Sequence, residues 1–317
     1  MKTRQPATLQ PSGQPPTVDP LLHDPHTHAR TQSALSTDTP YRGQAVALLT
    51  RHGKELLVAP VLNATLGCRI EHVDGYDTDL LGTFTRDIPR AGSQIEAARN
   101  KARLGMQLAG LPLGLASEGA FGTDPMIGMV PWNSELLIWI DNARGIEVVG
   151  HASGAANFAH RLVEDWNAAL DFARQWGFPE HHIVLRPERE DDPRMRKGIC
   201  DWAELESSFD AASAQSSTRR VFLETDVRAH ANPTRQAMIR RAAEDLSARL
   251  CSVCPTCGAP GFWLVERRGG LPCEDCGAPT QEALTDVFGC VTCGEQEQRQ
   301  STSRKSADPS RCDYCNP

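Results

Sequence analysis

Four Cys-x-x-Cys pairs occupy the last 64 residues of this 317-residue chain, and they restrict what it can fold into more than any other feature. They are Cys254/Cys257, Cys273/Cys276, Cys290/Cys293 and Cys312/Cys315. Each pair presents two thiolates from one tight turn, and four thiolates close a tetrahedral metal site with no position left for water. Eight cysteines therefore predict two structural Zn²⁺ ions and no catalytic zinc. Fifteen residues separate the first pair from the second and eighteen the third from the fourth, gaps that fit two-knuckle zinc ribbons. Interleaved pairing satisfies the same count, and Cys251 in CSVCPTC overlaps with Cys254, so spacing leaves the connectivity open. Gly258, Gly277, Gly294 and Asn316 follow the second cysteines and suit the positive φ such turns often demand. Four such pairs in one small segment exceed what thiol exchange uses, which disfavours a redox reading. Residues 251–317 hold too few apolar side chains for a core of their own, so metal must supply what packing cannot.

The rest of the chain reads differently. Residues 1–41 carry seven prolines among Thr, Ser, Gln and His, and predict a disordered tail. Its HDPHTH stretch places His23, His26 and His28 in a tail that fixes no ligand geometry. Residues 42–250 alternate short apolar runs with helical segments, which predicts an α/β domain with a mixed central sheet flanked by helices. Expected strands are QAVALLT, RIEHVD, PLGLAS, a hairpin of ELLIWID and GIEVVGH around NARG, HHIVLRP and RRVFLET. A helix interrupted at Pro60 should follow the first strand, and one over about 93–109 should open on a Ser93/Glu96 capping box. Further helices are expected over 156–176, 200–214 and from Pro233 to about 250, with a glycine turn at EGAFG.

Net charge is −7, and residues 251–317 hold six Arg or Lys against nine Asp or Glu, so neither part carries the basic excess of a general nucleic-acid binder. Contact between the cysteine module and nucleic acid or a protein partner stays open as a local matter. No apolar run reaches membrane-spanning length, and MKTRQPATLQ is followed by no apolar signal region, so a cytoplasmic protein with no membrane partner is expected.

Two constellations in the α/β part carry chemistry. Glu118, an acid beside glycine after an apolar strand, lies where α/β sheets bind ligands. TDVRAHANPTR, residues 225–235, gathers Asp226, Arg228, His230 and Arg235 around a helix start that Asn232 can cap and Pro233 can open. Helix N-termini with nearby arginines suit a phosphate-bearing ligand; an ion pair of Asp226 with Arg228 or Arg235 is the structural alternative.

The segment SQIEAARNKARLGMQLAGLPLGLASEGAFG resembles the central motif of the inosine triphosphate pyrophosphatase superfamily. Glu96, Lys101, Leu111-Pro112 and Glu118-Gly119 fall at the motif's positions, and Lys54 in TRHGKE resembles its phosphate-binding lysine turn. Where the main branch has two consecutive Asp residues this chain has Ala116-Ser117, and a related branch carries a Glu before glycine, as at Glu118. The resemblance implies metal-dependent hydrolysis of a nucleoside triphosphate or similar phosphoanhydride. That chemistry needs a divalent cation, charge acceptors and an oriented water. Glu96, Glu118 and one of Asp74, Asp77 or Asp79 are the candidate Mg²⁺ ligands; Lys54, Lys101, Arg86 and Arg228 are the candidate charge acceptors. Through GTFTR, ASEGAFG, NPTR and the final CxYCNP, the whole chain is also similar to a bacterial family known only as a domain of unknown function.

Overall fold

The computed structural model describes residues 39–50, 53–74, 76 and 92–317, in two compact units that divide between Cys251 and Ser252. The first unit is built around a five-stranded sheet in the order β2-β1-β3-β4-β5. Its strands are β1 (Ala45–Leu49), β2 (Arg69–Val73), β3 (Leu113–Thr123), β4 (Pro131–Asp141) and β5 (Ile146–Ala155). β1 runs parallel to both β2 and β3, whereas β3, β4 and β5 form an antiparallel meander, so the central sheet is mixed.

Alternation along the strands sorts the side chains onto two faces. Val46, Leu48, Leu113, Leu115, Leu137 and Trp139 pack with helices α1 (Glu55–Leu66) and α5 (Pro233–Cys251). Ala116, Leu136, Ile138 and Ile140 pack with α2 (Gln94–Ala109) on the other face. The chain passes from β1 through α1 to β2, then through α2 back across β1 to β3. This reversal on either side of β1 is a topological switch point, where open α/β sheets leave a crevice at the strand ends.

A second, antiparallel sheet in the order β6-β9-β7-β8 completes this unit, with strands β6 (His160–Val163), β7 (Ile183–Pro187), β8 (Arg196–Ile199) and β9 (Val221–Thr225). Phe172 of α3 (Trp166–Gln175) and Leu205 and Phe209 of α4 (Trp202–Gln215) bury against Ile183, Leu185, Val221 and Leu223. The unit from Ser252 onward is a three-stranded antiparallel sheet of β10 (Trp263–Gly269), β11 (Ala283–Gly289) and β12 (Gln296–Gln300).

Several expectations change. The first helix runs unbroken through Pro60, because burial of Leu57, Val58, Leu62 and Leu66 outweighs the single backbone bond proline forgoes. EGAFG is no turn: β3 continues to Thr123, and the turn lies beyond it, where both Asp124 carboxylate oxygens accept backbone N–H groups of Met126, Ile127, Met129 and Val130. The expected helix over 156–176 begins only at Trp166, with Asp165 as its cap, because His160–Val163 pairs with β9 instead. Tyr41, placed by composition in the tail, is fully buried with its ring 4.8 Å from that of Trp139. The other tail residues up to 38, including His23, His26 and His28, and the segment 77–91 with Asp77, Asp79 and Arg86 lie outside the described residues.

Candidate functional site

In the second unit the cysteine pairs interleave. Cys254, Cys257, Cys290 and Cys293 converge in one group and Cys273, Cys276, Cys312 and Cys315 in another, with all four sulfurs of each group within 4.8 Å of one another. The sequential pairing favoured by the gaps is therefore replaced by first with third and second with fourth. The antiparallel sheet dictates this. The Cys254 turn leads into β10 and the Cys290 turn follows β11, and Trp263 pairs with Gly289, so both arrive at one end of the sheet. The Cys273 turn lies in the β10–β11 connection at the opposite end, where the chain returns after β12.

The sulfur geometry tests the fit of a metal. A Zn–S bond of about 2.3 Å in a tetrahedron sets sulfurs about 3.8 Å apart. The Sγ separations are 3.7 Å for Cys254–Cys293 and Cys257–Cys290, 3.8 Å for Cys273–Cys315 and 3.6 Å for Cys276–Cys312. Both tetrads thus fit a tetrahedral ion such as zinc. In every knuckle the residue after the second cysteine donates its N–H to the carbonyl of the first. Gly258, Gly277 and Gly294 do so with φ of 72°, 71° and 77°. Asn316 makes the same bond without a positive φ, and its side-chain amide donates to the Ser310 carbonyl at 3.0 Å. Cys251 is half-buried at the end of α5 and belongs to neither tetrad.

In the first unit, five charged side chains gather at the switch point. Lys54, just beyond β1, reaches to the neighbouring strand β3, where its Nζ donates to the Ser117 carbonyl at 2.9 Å and to Ser117 Oγ at 3.3 Å. On the α2 face, Lys101 Nζ lies 3.0 Å from Glu118 Oε1. On the α5 face, Arg235 Nε lies 2.7 Å from Glu135 Oε1, with both side chains buried. Strand alternation explains the split: Glu118 points to one side, while Glu135, in phase with Leu137 and Trp139, points to the other. Gln94, at the start of α2, ties the two strands together by donating Nε2 to the carbonyls of Glu118 and Ser134 at 2.9 and 3.1 Å.

Lys54 is 5% exposed. Burial, aided by the nearby Arg235 and Lys101 and opposed by Glu118 and Glu135, pushes its amine down to about 7. Gly119 is required beneath the Glu135–Arg235 pair, since a Cβ there would sit 2.2 Å from Glu135 Oε1 and 2.6 Å from an Arg235 nitrogen. Gly119→Ala is accordingly expected to destabilise this unit by about 1–3 kcal/mol, the range for overpacking, and urea denaturation measures it.

The TDVRAHANPTR stretch is resolved into parts. Asn232 caps α5, with Oδ1 accepting from the Arg235 N–H at 3.0 Å, and Pro233 opens the helix. Asp226 is buried and accepts from Arg228 Nε through both oxygens at 3.0 and 3.1 Å. Burial opposes ionisation of Asp226, but the Arg228 bonds prevail and hold its carboxyl below the usual range. Burial and then the Arg228 charge lower His230. The Arg235 guanidinium donates to the Val227 carbonyl at 2.6 Å, which links this turn to the switch-point cluster. Glu96 is exposed and completes the capping box, its Oε2 accepting from Ser93 N and Oγ at 2.7 Å each. Among the described residues the two cysteine tetrads are the groups of three or more ligand side chains that converge; Glu96, Glu118 and Asp74 form no such group. Glu135 was not anticipated from the sequence, although an acid in phase with the buried residues of an apolar strand is a legible sign of a buried pair.

A mixed α/β unit with a charged switch point, followed by a module with two metal-ready cysteine tetrads, defines the class of protein. The pattern of the family described as Domain of unknown function (DUF6671) matches residues 101–317, and the chain belongs to that family. The match spans Lys101, Glu118, Arg235 and all eight tetrad cysteines. No curated protein matches the chain. Among the described residues no helix is long and apolar enough to cross a membrane.

Proposed function

We propose that the chain is a cytoplasmic, metal-dependent hydrolase that binds a nucleoside triphosphate or similar phosphoanhydride at the switch point, with zinc in both cysteine tetrads as structural ions. One observation carries the reading: where the strand order reverses, buried Lys54 lies within the influence of two ion pairs, Lys101–Glu118 on the α2 face and Arg235–Glu135 on the α5 face. Such a crevice receives phosphate-bearing ligands in open α/β sheets. Three cations suit the charge that develops on transferring phosphoryl oxygens. Lys101 holds Glu118 until a phosphate competes for the lysine; the freed carboxylate then orients the attacking water. A divalent cation would be carried on the ligand's phosphates and would supply charge neutralisation there, with Glu118 as the nearby carboxylate. Sequence resemblance to the inosine triphosphate pyrophosphatase superfamily, carried by Lys54, Lys101 and Glu118-Gly119, supports the same assignment. Arg228 and Asp226 serve as a paired wall of the turn rather than as free phosphate ligands.

The test is Mg²⁺-dependent release of pyrophosphate or phosphate from a panel of standard and deaminated nucleoside triphosphates. Glu118→Gln is expected to lower turnover by about 10²-fold or more while nucleotide binding persists. Absence of release across the whole panel overturns the hydrolase. Thermal stabilisation by nucleotide without turnover would instead establish a non-enzymatic nucleotide-binding protein.

A further inference from the structure

Among the described residues, three cations and two carboxylates meet at the switch point. Lys101 has Glu118 at 3.0 Å and Arg235 has Glu135 at 2.7 Å, so each carboxylate already faces its own cation. Lys54 is the third cation, buried like the others, and its hydrogen bonds go to the neutral carbonyl and hydroxyl of Ser117. A buried ammonium without a counter-charge is costly, and it is relieved by losing its proton or by gaining an anion. The charged groups of the described residues acting on it come from every element around it: Glu118 of β3, Glu135 of β4, Lys101 of α2 and Arg235 of α5. Of these, the cations outweigh the acids in their effect on Lys54, and together with burial, the largest cause, they bring its amine down to about 7.

We propose that Lys54 is a proton-coupled anion receptor: its buried amine, held by the neutral groups of Ser117, takes up a proton when a tetrahedral oxyanion, the phosphate group of the ligand, binds beside it. The proposal rests on the switch point being the anion site. Ser117 supports both states, because its carbonyl accepts from a neutral amine or an ammonium alike, and its hydroxyl can turn to donate to the neutral nitrogen. The bound anion supplies the missing counter-charge and raises the amine again. Between the empty and occupied values, binding therefore consumes a proton from solvent, and affinity falls as pH rises through that window.

Sulfate is the probe, since it carries two charges at neutral and alkaline pH and any proton taken up belongs to the protein. Calorimetric titration of the full chain in buffers of different ionisation enthalpy counts those protons. At pH 8 uptake should approach about 0.9 proton per sulfate, and at pH 6 it should fall to about 0.1, with affinity dropping about tenfold for each pH unit above 7. Lys54→Arg, whose guanidinium stays charged, should bind sulfate with no uptake and no pH dependence between 7 and 9. Lys54→Met, which removes the buried charge without leaving a void, should fold and lose the binding. Lys101→Met, which removes a repelling charge and frees Glu118 as a counter-charge, should move the uptake window to higher pH. Binding without uptake in the wild-type chain, or uptake that survives in Lys54→Arg, overturns the proton coupling and leaves the anion site standing. Failure of sulfate to bind at any pH overturns the coupling and the anion site together.

Discussion

Loss of either metal is expected to unfold residues 252–317 as a whole, while the first unit keeps its own cooperative transition. The apolar cluster of this module is small, built on Phe262, Leu264 and Phe288 with the ligands Cys254 and Cys290 and flanked by Ala259 and Trp263, too little to order a segment of this length. Zinc, the ion we propose for both tetrads, would contribute about 10–16 kcal/mol of apparent binding energy per site, and in a module with so small a core that energy would be folding energy. The interleaved connectivity makes the two sites interdependent. One tetrad clips the start of β10, the end of β11 and the start of β12; the other clips the β10–β11 connection to the segment after β12. Both hold opposite ends of one sheet. Cys276→Ser should therefore lower zinc content from two ions per chain toward zero, and hydrogen exchange should show lost protection across all of β10, β11 and β12. Two independent ribbons would behave otherwise, retaining one zinc and one protected half. Retention of a full zinc with an intact sheet would refute the coupling.

The contrast between spacing and pairing also marks what a sequence can reveal. Cys-x-x-Cys turns, the Ser93/Glu96 capping box and the Asn232-Pro233 helix start are decided within four residues, and each takes the expected local form. Which knuckle meets which is decided by strand direction, since an antiparallel pairing of Trp263 with Gly289 brings together turns far apart in the chain. Glycine was misread for a related reason. In EGAFG it suggested a turn, yet Gly119 sits in an ordinary extended strand and is needed because Glu135 and Arg235 cross above it. The requirement comes from two residues on other elements. His160–Val163 shows the same limit, as a short segment with helical neighbours becomes a strand because Val221–Thr225 offers it an edge. At the switch point, Lys54, Lys101 and Glu118 were legible from motif positions. The division of the Lys101–Glu118 and Glu135–Arg235 pairs onto opposite faces followed only once strand phase was known.

The second large effect concerns the pair that walls the Lys54 site. Glu135 and Arg235 are 0% and 2% exposed, and they join β4 to α5 across the unit. Asn133 donates to the same Glu135 oxygen at 3.1 Å, and the Arg235 guanidinium lies 5.6 Å from the centroid of the Phe121 ring. Removing one charge strands the other in a low-dielectric interior, so Arg235→Met and Glu135→Leu should each cost about 3–5 kcal/mol. Removing both strands neither. The double variant should recover much of the loss, with an interaction energy of about 1–3 kcal/mol in a double-mutant cycle measured by urea denaturation. Strict additivity would mean that each side chain acts through its other contacts, Arg235 through the Val227 carbonyl and Phe121, and Glu135 through Asn133. A recovered double variant would also separate stability from chemistry. It would retain the Lys101–Glu118 pair and the Ser117 contacts of Lys54, but the cation that most lowers the Lys54 amine would be gone, along with the smaller opposing effect of Glu135. Sulfate binding in that variant should then persist to higher pH than in the parent chain, because less repulsion acts on the protonated amine.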